Sequence, residues 1–260
     1  MAKVADIQTM KVYITVHLET PSQETLLQRC YTSVRRVHPD ASIVLVQSQT
    51  SLPLRGVYDA TVCVNPGLSS LGAIFLAGRD EAPFVYVLHD SMVVLRELPS
   101  LPDEVDVRPI YHFRGKMCRE HYPVAERVFR HRYADFLQTY TTGWLGCAVV
   151  IRPESARRIV GEDLLRQITT NLRFQAMERI LPVLGSMAGL RLGSSVCGDI
   201  FASDADPWLH LSRSQESIES LLSIQLPIVK TVGGRVNVPP GEEDVYSKTA
   251  GSPIASNDFR

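Results

Sequence analysis

The residues of this sequence with the clearest capacity for chemistry are His89, Asp90 and Ser91, which directly follow an unbroken apolar run at 84–88. Such a run predicts a strand buried on both faces of a parallel sheet. Polar groups at the C-terminal end of such a strand lie where open α/β sheets bind ligands. A carboxylate there can hold Mg²⁺ or Mn²⁺ against a diphosphate. The alternative is structural, with Asp90 capping the following turn through its side chain.

A second candidate is a turn rich in glycine and serine, residues 65–70, which precedes a predicted helix. Free N–H groups at a helix N-terminus suit an anion, so Gly67 is a candidate phosphate-binding position. The segment lacks the GK[ST] of a P-loop and the G-x-G-x-x-G of a dinucleotide site. A plain turn with a helix cap therefore remains the alternative.

Three positions in the second half of the chain are also chemically suggestive. Trp144, preceded by Gly143, enters an apolar run, where its ring belongs either to the core or to the stacking floor of an acceptor pocket. Asp199 follows an apparent strand end, a position that suits a general base or a polar anchor. Glu178 lies between apolar residues on a predicted helix, so it is either a second candidate base or a solvent-facing side chain.

The elements that position these residues alternate as β-α-β-β-α-β over residues 11–91. Hydrophobic periodicity predicts strands at 11–17, 42–47, 60–64 and 84–88, and helices at 23–37 and 71–79. This order is typical of an open, mostly parallel α/β sheet with flanking helices. Right-handed crossovers place the C-terminal strand ends along one edge, where we expect His17, Gln47, Asn65 and Asp90 to line a common crevice.

Beyond residue 91 the pattern is less regular. It predicts strands at 92–95, 105–113, 143–151 and 192–196, and helices at 124–138, from Pro153, at 171–181 and at 217–224. Pro182 is expected to bend or end its helix. We interpret the chain as a single domain over 11–235, divided near residue 100, with a loose N-terminus at 1–10 and an extended or disordered tail at 236–260.

Composition narrows the function classes. The chain has 260 residues, of which 45% are hydrophobic and 21% charged, and a net charge of -1. Without a basic field, a protein that binds nucleic acid through its backbone phosphates is not expected. The five cysteines are widely spaced and form no CxxC, which argues against a disulfide framework or a zinc site and favours the cytoplasm. No apolar run approaches the roughly 18 residues of a transmembrane segment.

Taken in order, these motifs resemble the GT-A-type glycosyltransferases, including small glycosyltransferase-like proteins of which some are viral. The resemblance lies in the order of seven segments, the last of them the weakest: Val16–Pro21, Ser42–Gln47, Gly67–Gly78, Tyr86–Ser91, Gly143–Arg152, Met177–Arg179 and Gly198–Ile200. In that family the strand corresponding to Tyr86–Ser91 ends in a D-x-D motif, whose carboxylates hold a divalent metal on the donor diphosphate. This chain departs from the pattern, because its tripeptide His89-Asp90-Ser91 has one carboxylate instead of two.

The resemblance implies a transferase that moves a sugar from a nucleotide-sugar donor to a glycan or other hydroxyl acceptor. Residues 11–100 would form the nucleotide-sugar half and 101–235 the acceptor half. The implied donor-binding residues are His17, Glu19, Gln47, Gly67, His89 and Asp90. Asp90 would also hold Mn²⁺ or Mg²⁺, Trp144 and Gly143 would face the acceptor, and Asp199 or Glu178 would lie near the anomeric carbon.

Two other functions remain open at this point. One is a catalytically degenerate module of the same fold, which binds a nucleotide or a partner and catalyses no reaction. The other is a nucleotidyltransferase, which would also combine an α/β sheet with a metal. It would normally carry a G-x-G-x-R stretch after the first strand, and this sequence has none there.

Overall fold

The computed structural model describes residues 10–18, 21–48, 53–64, 69–115, 122–129, 141–167, 174–200, 211–213, 218–222 and 224–232. Over these ranges the strands are β1 (Lys11–Val16), β2 (Ser42–Ser48), β3 (Ala60–Val64), β4 (Val85–His89), β5 (Met92–Val94), β6 (Val107–Pro109), β7 (His112–Gly115), β8 (Thr141–Trp144), β9 (Val149–Ile151), β10 (Leu211–Arg213) and β11 (Ile228–Val232).

The helices of the same ranges are α1 (Pro21–Val37), α2 (Ser69–Ala77), α3 (Tyr122–Phe129), α4 (Pro153–Ile159), α5 (Glu162–Gln167), α6 (Phe174–Met187) and α7 (Ile218–Leu221). A short 3-10 turn covers Leu145–Cys147. None of these helices combines the length and the apolar character that crossing a membrane requires.

The largest sheet has six strands in the order β3-β2-β1-β4-β9-β6. Strands β3, β2, β1 and β4 are parallel to one another, whereas β9 runs antiparallel to both β4 and β6. Two smaller sheets have the orders β10-β11-β5 and β7-β8. The prediction of an open, mostly parallel α/β sheet with flanking helices is therefore confirmed.

Alternate residues of the central strands pack into two hydrophobic cores, as the period of a strand requires. Tyr86 and Leu88 of β4 lie in one core together with Leu27 of α1. Val85 and Val87 lie in the other core, which includes side chains of α2 and α6. Because β4 is buried from both sides, an apolar side chain is favoured at each position, and the sequence shows the unbroken run from which the strand was predicted.

The apolar stretch at 143–151 is not the single strand that the sequence predicts. It forms β8 and β9 with the 3-10 turn between them. Gly146 and Cys147 have φ values of 64° and 54°, in the left-handed region that a continuous strand does not use. Gly146 adopts this backbone without steric cost, and hydropathy alone gives no sign of the break.

Three other predicted elements differ from the structure. The stretch at 105–113 contains two short strands, β6 and β7, that belong to different sheets. Leu192 makes only an isolated bridge with Val107, so 192–196 is not a regular strand. Pro182 does not end its helix, because α6 continues to Met187 with the neighbouring Leu181 held in the core.

Some predictions fall partly or wholly outside the described residues. The helix predicted at 124–138 corresponds to α3 up to Phe129, and residues 130–138 lie outside the described ranges. Residues 1–9 and the tail at 236–260 also lie outside them. Strand β11 was missed by the sequence analysis, although its run of β-branched residues at 228–232 is a usable strand signal.

We expect Gly143→Ala to lower the melting temperature by several degrees. A Cβ at this position would lie 2.2 Å from Cζ of the Phe113 ring on the paired strand, and overpacking of this kind costs roughly 1–3 kcal/mol. Gly161→Ala is the matched control, because a Cβ there would have no atom within 4 Å. Equal melting temperatures for the two variants would contradict the packing of Phe113 over Gly143.

Candidate functional site

The site begins where β1 and β4 end side by side. The two strands are parallel, with Thr15 opposite His89, so the residues that follow them emerge at the same edge of the sheet. The backbone N–H of His17 donates to Oδ2 of Asp90 at 2.7 Å, and the backbone N–H of Asp90 donates to the carbonyl of Thr15 at 3.1 Å. These two bonds fix Asp90, which is only 5% exposed, between the strand ends.

His89 lies on the same side as Asp90 because β4 stops at His89 and the chain turns at once. In a continuing strand the two side chains would face opposite ways. The turn instead brings His89 Nδ1 within 2.7 Å of Asp90 Oδ1 and within 2.8 Å of Ser91 Oγ. The His89 ring also stacks on the His17 ring, with centroids 4.7 Å apart and planes inclined by 7°.

Among the described residues, His17, His89 and Asp90 form a group that could hold a metal ion. One donor atom of each lies within 4.8 Å of the donor atoms of the other two. The sequence analysis assigned all three residues to one edge of the sheet, and the structure brings them together there.

Lys230 lies next to these three residues and forms a cluster with them, although the sequence analysis did not identify it. Its Nζ lies 3.2 Å from His89 Nδ1 and donates a hydrogen bond to Ser91 Oγ. Strand β11 pairs antiparallel with β5, placing Lys230 opposite Met92. The next residue, Thr231, donates from both its N–H and its Oγ1 to the Ser91 carbonyl, each at 2.7 Å. Strand pairing therefore fixes the backbone of the lysine, and the hydrogen bond to Ser91 Oγ places its ammonium group.

The environment of the cluster favours the ionised form of Asp90 and disfavours the charged forms of His89 and Lys230. Burial alone would raise the pKa of Asp90, but His89 and the hydrogen bond from the His17 amide lower it well below its ordinary value. Burial and the positive charge of Lys230 lower the pKa of His89, which favours the neutral imidazole. Burial also lowers the pKa of Lys230, while the nearby carboxylates of Asp90 and Glu178 oppose that shift.

Glu178 approaches the cluster from α6. Its Oε1 accepts a hydrogen bond of 2.6 Å from the backbone N–H of Gly146, a residue whose added Cβ would lie 3.4 Å from Cδ2 of His89. Burial raises the pKa of Glu178 to about 7, against the opposing effects of the Gly146 N–H, Lys230 and Arg179. A carboxyl group of this kind can exchange a proton near neutral pH.

Asp199 belongs to a different hydrogen-bonded group. Its Oδ2 lies 3.7 Å from Nε2 of His112, and Nδ1 of the same histidine is 2.7 Å from Ser195 Oγ. The left-handed backbone of Gly198, with φ of 93°, directs the chain toward β7 at this point. Of the two carboxylates predicted as bases, Glu178 is therefore the one that is linked to His89, through the intervening residue Gly146.

The remaining predicted site residues are placed as follows. Gln47 is buried at the end of β2, opposite Val16, and so lies on the same edge as His17. Trp144 is 2% exposed and lies in the hydrophobic core, and Gly143 lies beneath the Phe113 ring. These placements leave little open surface at Trp144 on which an acceptor sugar could stack. Glu19, Asn65 and Gly67 lie outside the described residues.

Comparison with known proteins finds similarity at the level of structure. No protein-family model and no curated protein matches the chain. The galactosyltransferase LgtC, solved with donor and acceptor sugar analogues, is similar over 86% of this chain and 87% of that chain, with 11% identity and a TM-score of 0.45.

Two further solved structures are similar over shorter spans. The glycosyltransferase GlyE of Streptococcus pneumoniae TIGR4 shares 13% identity over 72% of this chain and 45% of that chain, with a TM-score of 0.40. A mutant of a Drosophila β1,4-galactosyltransferase 7, solved with manganese, UDP-Gal and xylobiose, shares 9% identity over 72% of this chain and 65% of that chain, with a TM-score of 0.36. All three are glycosyltransferases, and similarity at these values concerns the fold alone.

We expect Glu178→Gln to stabilise the protein above neutral pH. In the folded protein Glu178 keeps its proton up to a pKa of about 7, compared with an ordinary value of 4.5. The folded state therefore binds more protons than the unfolded chain between these values, and stability falls as the pH rises through that window, by up to about 3 kcal/mol.

Glutamine keeps the acceptor for the Gly146 N–H but cannot ionise. Thermal melts should therefore show the variant more stable than the native protein at pH 8, with the difference shrinking toward pH 5. A difference that stays constant between pH 5 and pH 8 would contradict the raised pKa. Glu154→Gln, on an exposed position of α4, serves as the control for a general loss of negative charge.

Proposed function

We propose that this chain transfers a sugar from a nucleotide-diphosphate donor to an acceptor hydroxyl, with the diphosphate bound at the carboxyl edge of β1 and β4. The observation that supports this most is the convergence of His17, His89, Asp90 and Lys230 at the ends of two neighbouring parallel strands. Open α/β sheets bind ligands at this edge. An ammonium group beside two imidazoles suits phosphate oxygens.

In the proposed reaction, the acceptor hydroxyl oxygen forms a bond to the anomeric carbon of the donor sugar. The bond from that carbon to the β-phosphate oxygen breaks, and its electron pair leaves with the nucleoside diphosphate. The hydroxyl proton passes to a carboxylate of the protein. Positive charge held next to the leaving oxygen stabilises the negative charge that develops there.

The carboxylate that we propose for this proton transfer is Glu178. Two observations support this role: Glu178 is linked through Gly146 to the His89 ring, and its pKa is about 7. The alternative base, Asp199, lies beside His112 instead. Gln47, on the same edge, is proposed to contact the donor. Glu19 and Gly67 as donor contacts, and Trp144 with Gly143 as acceptor contacts, stay predictions from the sequence.

A panel of nucleotide sugars, each tested with and without Mn²⁺, is expected to contain at least one that raises the melting temperature. A donor present at about a hundredfold above its Kd adds roughly 2.7 kcal/mol of stability, which corresponds to a rise of about 5–10 °C for a chain of this size. A flat response to uridine and guanosine diphosphate sugars under both conditions would contradict a donor site and favour a module without that ligand.

Asp90→Asn is expected to reduce this stabilisation by at least half. The amide cannot supply the negative charge that orders His89 and the His17 amide around the site. Asp40→Asn is the control, because Asp40 is exposed in the turn before β2, at the opposite edge of the sheet. If Asp90→Asn responds to the donor as the native protein and Asp40→Asn do, Asp90 has no part in donor binding.

A further inference from the structure

We infer that the ammonium group of Lys230 is the resident cation of this site and takes the place that a divalent metal ion would otherwise occupy. Its role is to hold the donor diphosphate and to stabilise the charge on the leaving β-phosphate oxygen. The inference deepens the proposed function and rests on it for the identity of the ligand. It also separates this chain from the metal-assisted form of the reaction that the sequence resemblance implies.

The first support is the position of the lysine. Nζ of Lys230 lies 3.2 Å from His89 Nδ1 and is hydrogen-bonded to Ser91 Oγ, so it contacts both residues that flank Asp90. Its backbone is fixed by the register of β11 on β5 and by the two hydrogen bonds from Thr231 to the Ser91 carbonyl. The ammonium group of Lys230 is therefore bonded to the turn that follows β4, while its backbone belongs to β11.

The second support is that the donor atoms suit Mg²⁺ and Mn²⁺ poorly. His89 Nδ1 is already in contact with Asp90 Oδ1, Ser91 Oγ and Lys230 Nζ. Asp90 Oδ2 is bonded to the His17 amide. Mg²⁺ and Mn²⁺ prefer several oxygen ligands, and this group offers a single carboxylate with two imidazoles. A dication placed here would also face the positive charge of Lys230 within a few ångströms.

The third support is the charge balance at the turn. Where the D-x-D pattern has two carboxylates, which together match a dication, this chain has the single carboxylate of Asp90 between His89 and Ser91. A single ammonium then balances the single carboxylate of Asp90. His89 and Ser91 in place of acidic residues are therefore consistent with a lysine at 230. A site with one carboxylate fewer needs one positive charge fewer from its cation.

The first arm of the test uses Mn²⁺ alone and needs no nucleotide. Titration of the native protein with Mn²⁺, followed by electron paramagnetic resonance, is expected to show no site with a Kd below about 1 mM, the weak end of protein metal affinities. Lys230→Ala is expected to bind Mn²⁺ more strongly than the native protein, because it removes a positive charge and releases His89. Tight Mn²⁺ binding by the native protein that is lost in Asp90→Asn would overturn the inference.

The second arm measures nucleotide-sugar affinity by calorimetry in the presence of EDTA. The native protein should bind with the same Kd, within about twofold, whether EDTA or Mn²⁺ is present. Lys230→Met should bind about tenfold or more weakly, and Lys230→Arg should recover most of the loss because it restores the cation. Lys11→Met is the matched control, since Lys11 lies at the opposite end of β1, bonded to Ser42.

These outcomes separate the two proposals. If EDTA weakens native binding by about tenfold, or if Lys230→Met binds as the native protein does, Lys230 is not the resident cation, while the donor site itself stands. If no nucleotide sugar binds under any condition, the proposed function fails. In that case the Mn²⁺ titration alone decides whether a lysine or a metal ion belongs in this cluster.

Discussion

The hydrogen-bonded group of Asp90, His89, Ser91 and Lys230 at the carboxyl edge of the sheet is the interaction on which the rest of the site depends. A buried charge without a partner is strongly unfavourable, and the buried carboxylate of Asp90 has His89 Nδ1 and the His17 N–H as its partners. Asp90 orders the end of β1 through the His17 amide and the end of β4 through His89. Lys230 joins β11 to the same turn. Strand ends from two separate sheets therefore meet at one small group of charges.

The sequence carries enough information for the central sheet and its edge. The unbroken apolar run of β4, the β-branched β1 and the amphipathic α1 each follow from local physics, because burial on one or both faces dictates their residue types. The convergence of His17, Gln47 and Asp90 at one edge then follows from parallel topology alone. That argument needs only the alternation of strands and helices, which periodicity shows directly.

What the sequence could not supply depends on long-range pairing and on backbone dihedrals. Lys230 enters the site through a strand that pairs with β5 across about 140 residues, and no local signal predicts that register. The break at Gly146, whose N–H binds Glu178, arises from two positive φ values inside a largely apolar stretch. The sequence favours core over pocket for Trp144, and the burial of its ring in the hydrophobic core follows from packing that local sequence does not specify.

The most direct test of this account is a crystal structure of the protein with the nucleotide sugar that stabilises it most, grown with Mn²⁺ present. The account predicts a diphosphate oxygen at about 3 Å from Lys230 Nζ, the distance of a charge-assisted hydrogen bond. It also predicts no metal ion between His89 and Asp90. A manganese ion bound by His17, His89 and Asp90, with Lys230 turned away from the phosphates, would contradict it.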